Sequence, residues 1–426
     1  MAAAESRWLR RLVLVAGLGG GAAATALAVL DGVSEPPLAI GFALLVLLGG
    51  LLRVNLPGDR DASPVGGAAA IGYSLLLMQE NGSPADHSVA AVIAVVFVGS
   101  LVAAGVQVAL ERDPRLVDIA RRILGTAVVA ASFRLFLVDA IPRPVLGERA
   151  QAPIVAMLLA ALAGAIADTL IAAALRSRRD RTPLRPAVRN EVQAQVSIGT
   201  AMAATGVLMA LSVPIMGLWA LLVFCVPLLV TQFSFRRYSS ISATYRQTIR
   251  ALSRVTEVGG YVENGHSRRV MNLSVGIGKE YGLSDAELLD LEYAALMHDI
   301  GQLSLAEPIP RGSTLTVAPS ERRRIAELGA AVIRTTGNLD HVAYIVANQA
   351  NAYRKMRETA DVDVPLGSRI IKTASAYDDL VSASREQRGA RAAWDALERL
   401  RMGMAYEYDP RVIEALTRVL EKQGEL

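Results

Sequence analysis

Apolar stretches fill the first 235 residues of this chain and then stop. They cover residues 12–30, 37–52, 65–78, 89–110, 123–138, 154–175, 196–213 and 215–235. A helix needs about 20 apolar residues to cross the hydrocarbon core of a bilayer. The series therefore predicts a polytopic helical membrane domain of about eight transmembrane helices over residues 1–235. The stretch at 65–78 is short and rich in Gly and Ala, the weakest member of the set. Only Ser212-Val213-Pro214 separates the last two, which leaves either one broken crossing or two. The whole-chain figures, 52% hydrophobic and 20% charged, average this half with a second, ordinarily charged one.

Loop charges test the count independently, because cytoplasmic loops collect Arg and Lys. Arg7, Arg10 and Arg11 precede the first stretch, and Asp31 and Glu35 follow it. Arg53 and Arg60, then Glu80 and Asp86, then Arg112, Arg115, Arg121 and Arg122 continue the alternation. Six arginines lie between Arg176 and Arg189, and Arg236 and Arg237 close the series. Arg143 and Arg149 blur it but have Asp139 and Glu148 beside them. The pattern predicts a multi-pass protein of the cytoplasmic (inner) membrane with both termini in the cytoplasm. A signal peptide ending at Ala26-Leu27-Ala28 is the competing reading of the first stretch, and the seven later stretches favour a retained helix. Arg134 and Asp168 fall inside stretches at depths that do not suit a pair, so each is expected to snorkel or face a polar gap. No further intramembrane charge marks an ion pathway, which disfavours a transporter. Gly17, Gly19, Gly20 and Gly21 suit close helix packing in lipid.

From 236 to 258 the chain turns polar but keeps a stripe of Tyr238, Ile241, Tyr245, Thr248, Leu252 and Val255. Alternating steps of three and four fit a homodimer seam through 238–255 or an amphipathic helix resting on the next domain. Either way, a helix continuous with the last stretch would couple the two halves mechanically. Residues 259–426 then read as a second, all-helical cytoplasmic domain. Helices are expected at 266–281, 285–298, 320–334, 340–357, 368–384, 391–402 and 410–422, the second capped by Ser284 with Glu287 three residues on.

The sharpest motif is Leu296-Met297-His298-Asp299-Ile300-Gly301, with Gly265-His266-Ser267-Arg268-Arg269 lying 32 residues upstream. An imidazole and a carboxylate side by side suit a divalent cation held with room for water. With Leu328-Gly329-Ala330, the run 364–370 (Val-Pro-Leu-Gly-Ser-Arg-Ile), Ala376-Tyr377-Asp378-Asp379-Leu380 and Tyr408-Asp409-Pro410, this order resembles the HD superfamily of metal-dependent phosphohydrolases. The closer resemblance is to its HD-GYP branch, whose characterised members hydrolyse cyclic di-GMP, and it spans about residues 261–420. It implies an HD-type fold and a metal site at His266, His298 and Asp299. It implies Mn, Fe or Mg as the metal, with Asp299 in the catalytic set if the site is active.

The same resemblance marks what is missing. The family Lys after the Asp-Ile-Gly is Gln302 here, and further family ligands fall on Ile325, Gln349, Ala350 and Ser375. Asn351 takes the place of an acid, and the Gly-Tyr-Pro segment is absent. Three ligands can hold one cation, but a di-metal centre needs bridging carboxylates that these positions lack. The reading that follows is a membrane-anchored signalling protein whose degenerate HD-GYP-like domain binds a nucleotide, a cyclic dinucleotide or a partner without efficient turnover. An active cyclic di-GMP phosphodiesterase and a non-catalytic assembly scaffold are the alternatives. Arg268 and Arg269 are candidates to meet phosphate, whereas Arg322, Arg323 and Arg324 read as a solvated basic face near the membrane. Only four histidines are present, and Cys225 is the single cysteine, which excludes a disulfide framework and any zinc site needing two thiolates. A net charge of +4 gives no case for nucleic acid.

Overall fold

The computed structural model describes residues 2–56, 60–78, 85, 87–137, 151–180, 183–309, 312–353, 364–388, 391–404 and 406–426. The described residues form an all-α protein in two compact units, Met1–Ser240 and Ile241–Leu426. The β structure among them is one short antiparallel hairpin, β1 (Val54–Leu56) with β2 (Arg60–Ala62), and a bridge between Met404 and Tyr408.

The first unit begins with α1 (Ala2–Leu14), which runs through a π turn at Val15–Gly19 into α2 (Gly20–Asp31). There follow α3 (Pro36–Leu51), α4 (Pro64–Ser74), α5 (Val89–Ala109) and α6 (Leu116–Ala131), the last extended by a π turn at Ser132–Leu137. Then come α7 (Gln151–Asp180), α8 (Leu184–Met216) and α9 (Trp219–Val258). Among the described residues, five helices are long and apolar enough to cross a membrane: Trp8–Asp31, Val89–Ala109, Gln151–Arg179, Ile198–Met216 and Trp219–Arg237. Their outward faces leave Leu30, Leu162, Leu222 and Phe233 exposed, as suits a lipid solvent and not water.

By length and composition the described helices supply five of the eight expected stretches as candidate spans. Pro36–Leu51 is apolar but has 16 residues. The stretch at 65–78 forms α4, of 11 residues, which rises only about 16 Å, half the hydrocarbon core. It is buried on all sides, with Tyr73 fully covered. Glycine lets it sit so deep: a Cβ on Gly49 of α3 would lie 2.2 Å from the Gly66 nitrogen. The fifth stretch lies in α6 and its π turn, a helix loaded with Asp118, Arg121, Arg122 and Arg134. The last two stretches are separate helices, and the break is at Gly217 (φ 56°) while Pro214 stays inside α8. Of the glycine cluster, Gly17 and Gly21 pack on Ala120 and Phe97, whereas Gly19 and Gly20 meet nothing. Arg134 and Asp168 are indeed unpaired with each other. Arg134 Nη2 donates to the carbonyls of Tyr73 (3.3 Å) and Leu76 (3.5 Å), and Arg121 holds Asp168 through both carboxylate oxygens (3.0 Å). The loop charges Glu80, Asp86, Asp139, Arg143, Glu148 and Arg149 lie outside the described residues.

The second unit contains α10 (His266–Glu280), α11 (Asp285–Met297), α12 (Pro319–Arg334), α13 (Asp340–Asn348), α14 (Leu366–Arg388), α15 (Ala392–Met402) and α16 (Pro410–Gln423). Each expected helix is present within a few residues, except that α13 ends at Asn348 and residues 354–357 are not described. Ser284 and Glu287 form the capping box. The core joins Ile277, Leu291, Ile333, Val346, Ile371, Leu397 and Leu416. The end of α9 rests on this core through Tyr245, Ile249, Ser253 and Thr256, with Tyr245 edge-on to Tyr293 at 6.3 Å. Tyr245 belongs to the expected stripe, but beyond it the covered face runs one residue later, and Ile241, Leu252 and Val255 remain exposed. Tyr408-Asp409-Pro410 proves to be a helix start: Asp409 accepts from the Arg411 amide (2.9 Å) and Arg369 (2.7 Å).

Candidate functional site

His266 is the first residue of α10 and follows Gly265, whose φ of 81° is a conformation that glycine adopts without a Cβ penalty. His298 closes α11, and Asp299 (φ −100°, ψ 4°) turns the chain into a 3₁₀ helix at Ile300–Ser304. That turn lies directly on α12, since a Cβ on Gly301 would sit 2.0 Å from the Ile325 carbonyl oxygen. Two helix ends are thereby brought together. His266 Nε2 is 3.3 Å from His298 Nε2 and 3.3 Å from Asp299 Oδ2, and His298 Nε2 is 3.1 Å from the same oxygen. All three residues are buried.

The opposite ring nitrogens are held. Asp378 Oδ2 accepts from His266 Nδ1 at 2.8 Å, and the Ala295 carbonyl accepts from His298 Nδ1 at 2.8 Å. Occupying Nδ1 in this way aims each Nε2 at the common centre, the arrangement that orients metal-binding histidines elsewhere. Donors about 2.1 Å from one cation stand about 3.0 Å apart at right angles and about 3.4 Å apart in a tetrahedron. The observed spacings of 3.1 and 3.3 Å fall between these values. Two imidazoles and one carboxylate suit Mn or Fe better than Mg, which prefers oxygen. His266, His298 and Asp299 therefore fit a single divalent cation.

Without a cation the same centre retains a proton. Burial alone would lower the pKa of His266, but hydrogen bonds to Asp299 and Asp378 and their charges push it up to about 10. Burial lowers His298, with His266 adding to the effect. Asp299 resists the upward push of burial because both histidines hold it down to about 2.

Beside this centre lies a cleft of about 50 Å³. Ile325, Gln349, Ala350 and Ser375 all line it, so the positions where the resemblance places lost ligands do face the same space. Ser375 Oγ is 3.3 Å from His298 Nε2, Gln349 Nε2 donates to the His298 carbonyl (2.6 Å), and Ile325 is buried apolar surface. Gln302, at the family lysine position, donates to Asp299 Oδ1 (2.8 Å) and the Gly312 carbonyl (3.1 Å). Burial pushes Asp379, which accepts from Ser313 at 2.7 Å, up to about 6.

The cations in the cleft are not those expected. Arg269 is committed to Asp378 by two bonds (2.7 and 2.9 Å), and Arg268 is exposed. Neither lines the cleft; Arg322 and Lys372 do. Glu407 stands between them, 2.7 Å from Lys372 and 3.6 Å from Arg322. Burial lowers the pKa of Lys372. Sequence reasoning missed Lys372, although it lies one helical turn before Ser375 and so on the same face. It also read Arg322 as part of a solvated face. The two remaining histidines stand apart: His341 pairs with Asp290 at the surface (2.7 Å), and His87 is buried against Tyr73.

Residues 259–412 match the family model described as an HD domain, which supports placing this region in the HD superfamily. No curated protein and no solved structure matches the chain.

Proposed function

We propose that the chain is a membrane-anchored signalling protein whose C-terminal unit is a degenerate HD-GYP-like domain. It binds one divalent cation and the phosphate of a nucleotide or cyclic dinucleotide, without efficient turnover. The carrying observation is that His266, His298 and Asp299 converge while the four expected ligand positions in the adjoining cleft hold Ile325, Gln349, Ala350 and Ser375, leaving Asp379 as the further acid on its wall. A bound cation would supply Lewis-acid polarisation of a phosphoryl oxygen. The protein's own part is to aim the histidines through Asp378 and Ala295 and to present Lys372 and Arg322, two cations that share the single carboxylate Glu407, to a phosphate. At about 50 Å³ the cleft admits an ion with its waters or a single phosphate group, well short of the roughly 300 Å³ of a small-molecule site. The remainder of a nucleotide would lie on the rim.

The full-length chain in detergent, titrated with Mn and assayed with cyclic di-GMP, tests this reading. One equivalent of metal, abolished by His298→Ala, is expected together with binding of the dinucleotide and no steady hydrolysis. Multiple-turnover hydrolysis that disappears in His298→Ala would establish the active phosphodiesterase instead, and binding of neither probe would leave a scaffold.

A further inference from the structure

The first unit contains an open cavity of about 1050 Å³. Among its described lining residues are six arginines against four carboxylates, with apolar walls from Leu14, Ile71 and Met202. Two of its ion pairs are complete. Arg121 grips Asp168, which also accepts from Gln195 (3.1 Å), and Arg176 meets Glu191 at 3.4 Å.

Arg122 is different. It reaches the cavity from α6; its carbonyl accepts from Thr126 Oγ1 (2.7 Å), but among the described residues its guanidinium has no hydrogen bond or ion pair. It stands at the amino-terminal end of α4: a Cβ on Gly66 would lie 3.4 Å from Arg122 Nη1 and 2.8 Å from Ser63 Oγ. A helix start is already electropositive and carries amides that the helix itself does not satisfy. A guanidinium there is of the wrong sign for the helix dipole. Contrast Arg134, which sits at the other end of α4 on its last carbonyls, where a cation belongs.

Ser63 supplies the independent observation. It is 8% exposed, lines the cavity, and is the residue before α4, yet its hydroxyl neither caps the helix nor meets any other partner. Buried hydroxyls are ordinarily paired. An unsatisfied hydroxyl, a helix amino terminus and a guanidinium with no hydrogen bond of its own, converging on one space, are complementary to a multi-oxygen anion.

We propose that this end of α4 binds a phosphate group between Ser63 and Arg122, the rest of the ligand occupying the cavity. The phosphate can belong to an anionic phospholipid headgroup or to a soluble phosphate compound, and two arms of one experiment distinguish them. Full-length protein in neutral detergent is titrated with phosphatidylglycerol, against phosphate-free diacylglycerol, by native mass spectrometry. It is titrated with inorganic phosphate by calorimetry. Saturable one-to-one binding in either arm is expected, and the responding arm identifies the source. Arg122→Gln should weaken it roughly tenfold to a hundredfold, as for a hydrogen bond to a charged group. Ser63→Ala should weaken it several-fold while leaving the melting temperature of the ligand-free protein unchanged, because the hydroxyl has no protein partner to lose. Should Arg122→Gln fail to fold, Ser63→Ala carries the test. Absence of saturable binding in both arms, or binding that Ser63→Ala leaves intact, overturns the proposal.

Discussion

Titration of Mn into the full-length chain should displace a proton, and the number released can be worked out from the site. His298 is neutral at pH 7.5, because burial lowers it, and Asp299 is ionised, with its pKa held down to about 2. His266 alone must change state, since its pKa is pushed up to about 10 and a metal needs its Nε2 lone pair. At pH 7.5 the metal therefore releases close to one proton per ion, whereas an ordinary histidine of pKa 6.5 would release about 0.1. Displacing it costs about 2.5 pH units of affinity, or ~3 kcal/mol.

Affinity should consequently rise about tenfold per pH unit from 7 to 9. The linkage has the opposite sign for the metal-free protein. A raised histidine pKa contributes stability that is full below about pH 6.5 and is lost as pH rises through about 10. Calorimetry in buffers of different ionisation enthalpy counts the protons directly. A count near 0.1, with affinity flat over this range, would refute the assignment of His266 as the proton-bearing ligand.

Three further outcomes follow from the geometry. Ser375→Asp places a carboxylate where Ser375 Oγ now lies 3.3 Å from His298 Nε2, and should raise Mn affinity by about tenfold or more in a chelator competition; unchanged affinity would show that position 375 does not face the ion. Gly301→Ala drives a methyl against the Ile325 carbonyl at 2.0 Å and should destabilise the second unit by about 1–3 kcal/mol, seen as a lower melting temperature together with lost metal uptake. A homodimer through 238–255 would seat the exposed Ile241, Leu252 and Val255 against their copies. Leu252→Cys in a Cys225→Ala background should then oxidise to a disulfide-linked dimer in membranes, and a solely monomeric band would remove that seam.

Periodicity and charge alone divided the chain into an apolar and a charged half, because a bilayer solvent and a helical core each impose a pattern that local sequence must carry. The helices of the second unit and the Ser284 cap were legible for the same reason, resting on neighbours in sequence, whereas the grouping of His266 with His298 and Asp299 came from the family resemblance. What depended on the third dimension was less accessible. An apolar run does not state whether it crosses lipid or is enclosed by protein, and α4 is enclosed because Gly49 and Gly66 let α3 press against it. Which face of α9 the domain covers depends on where Tyr293 and the rest of its core lie: Tyr245 of the stripe is covered, whereas Ile241, Leu252 and Val255 are left exposed. Arg269 faced phosphate in the sequence and Asp378 in the structure, across 109 residues. Lys372, Arg322 and the orphaned Ser63 hydroxyl beside Arg122 gain their meaning only from atoms brought close by folding. Composition can count charges, but only tertiary structure decides which of them are already neutralised.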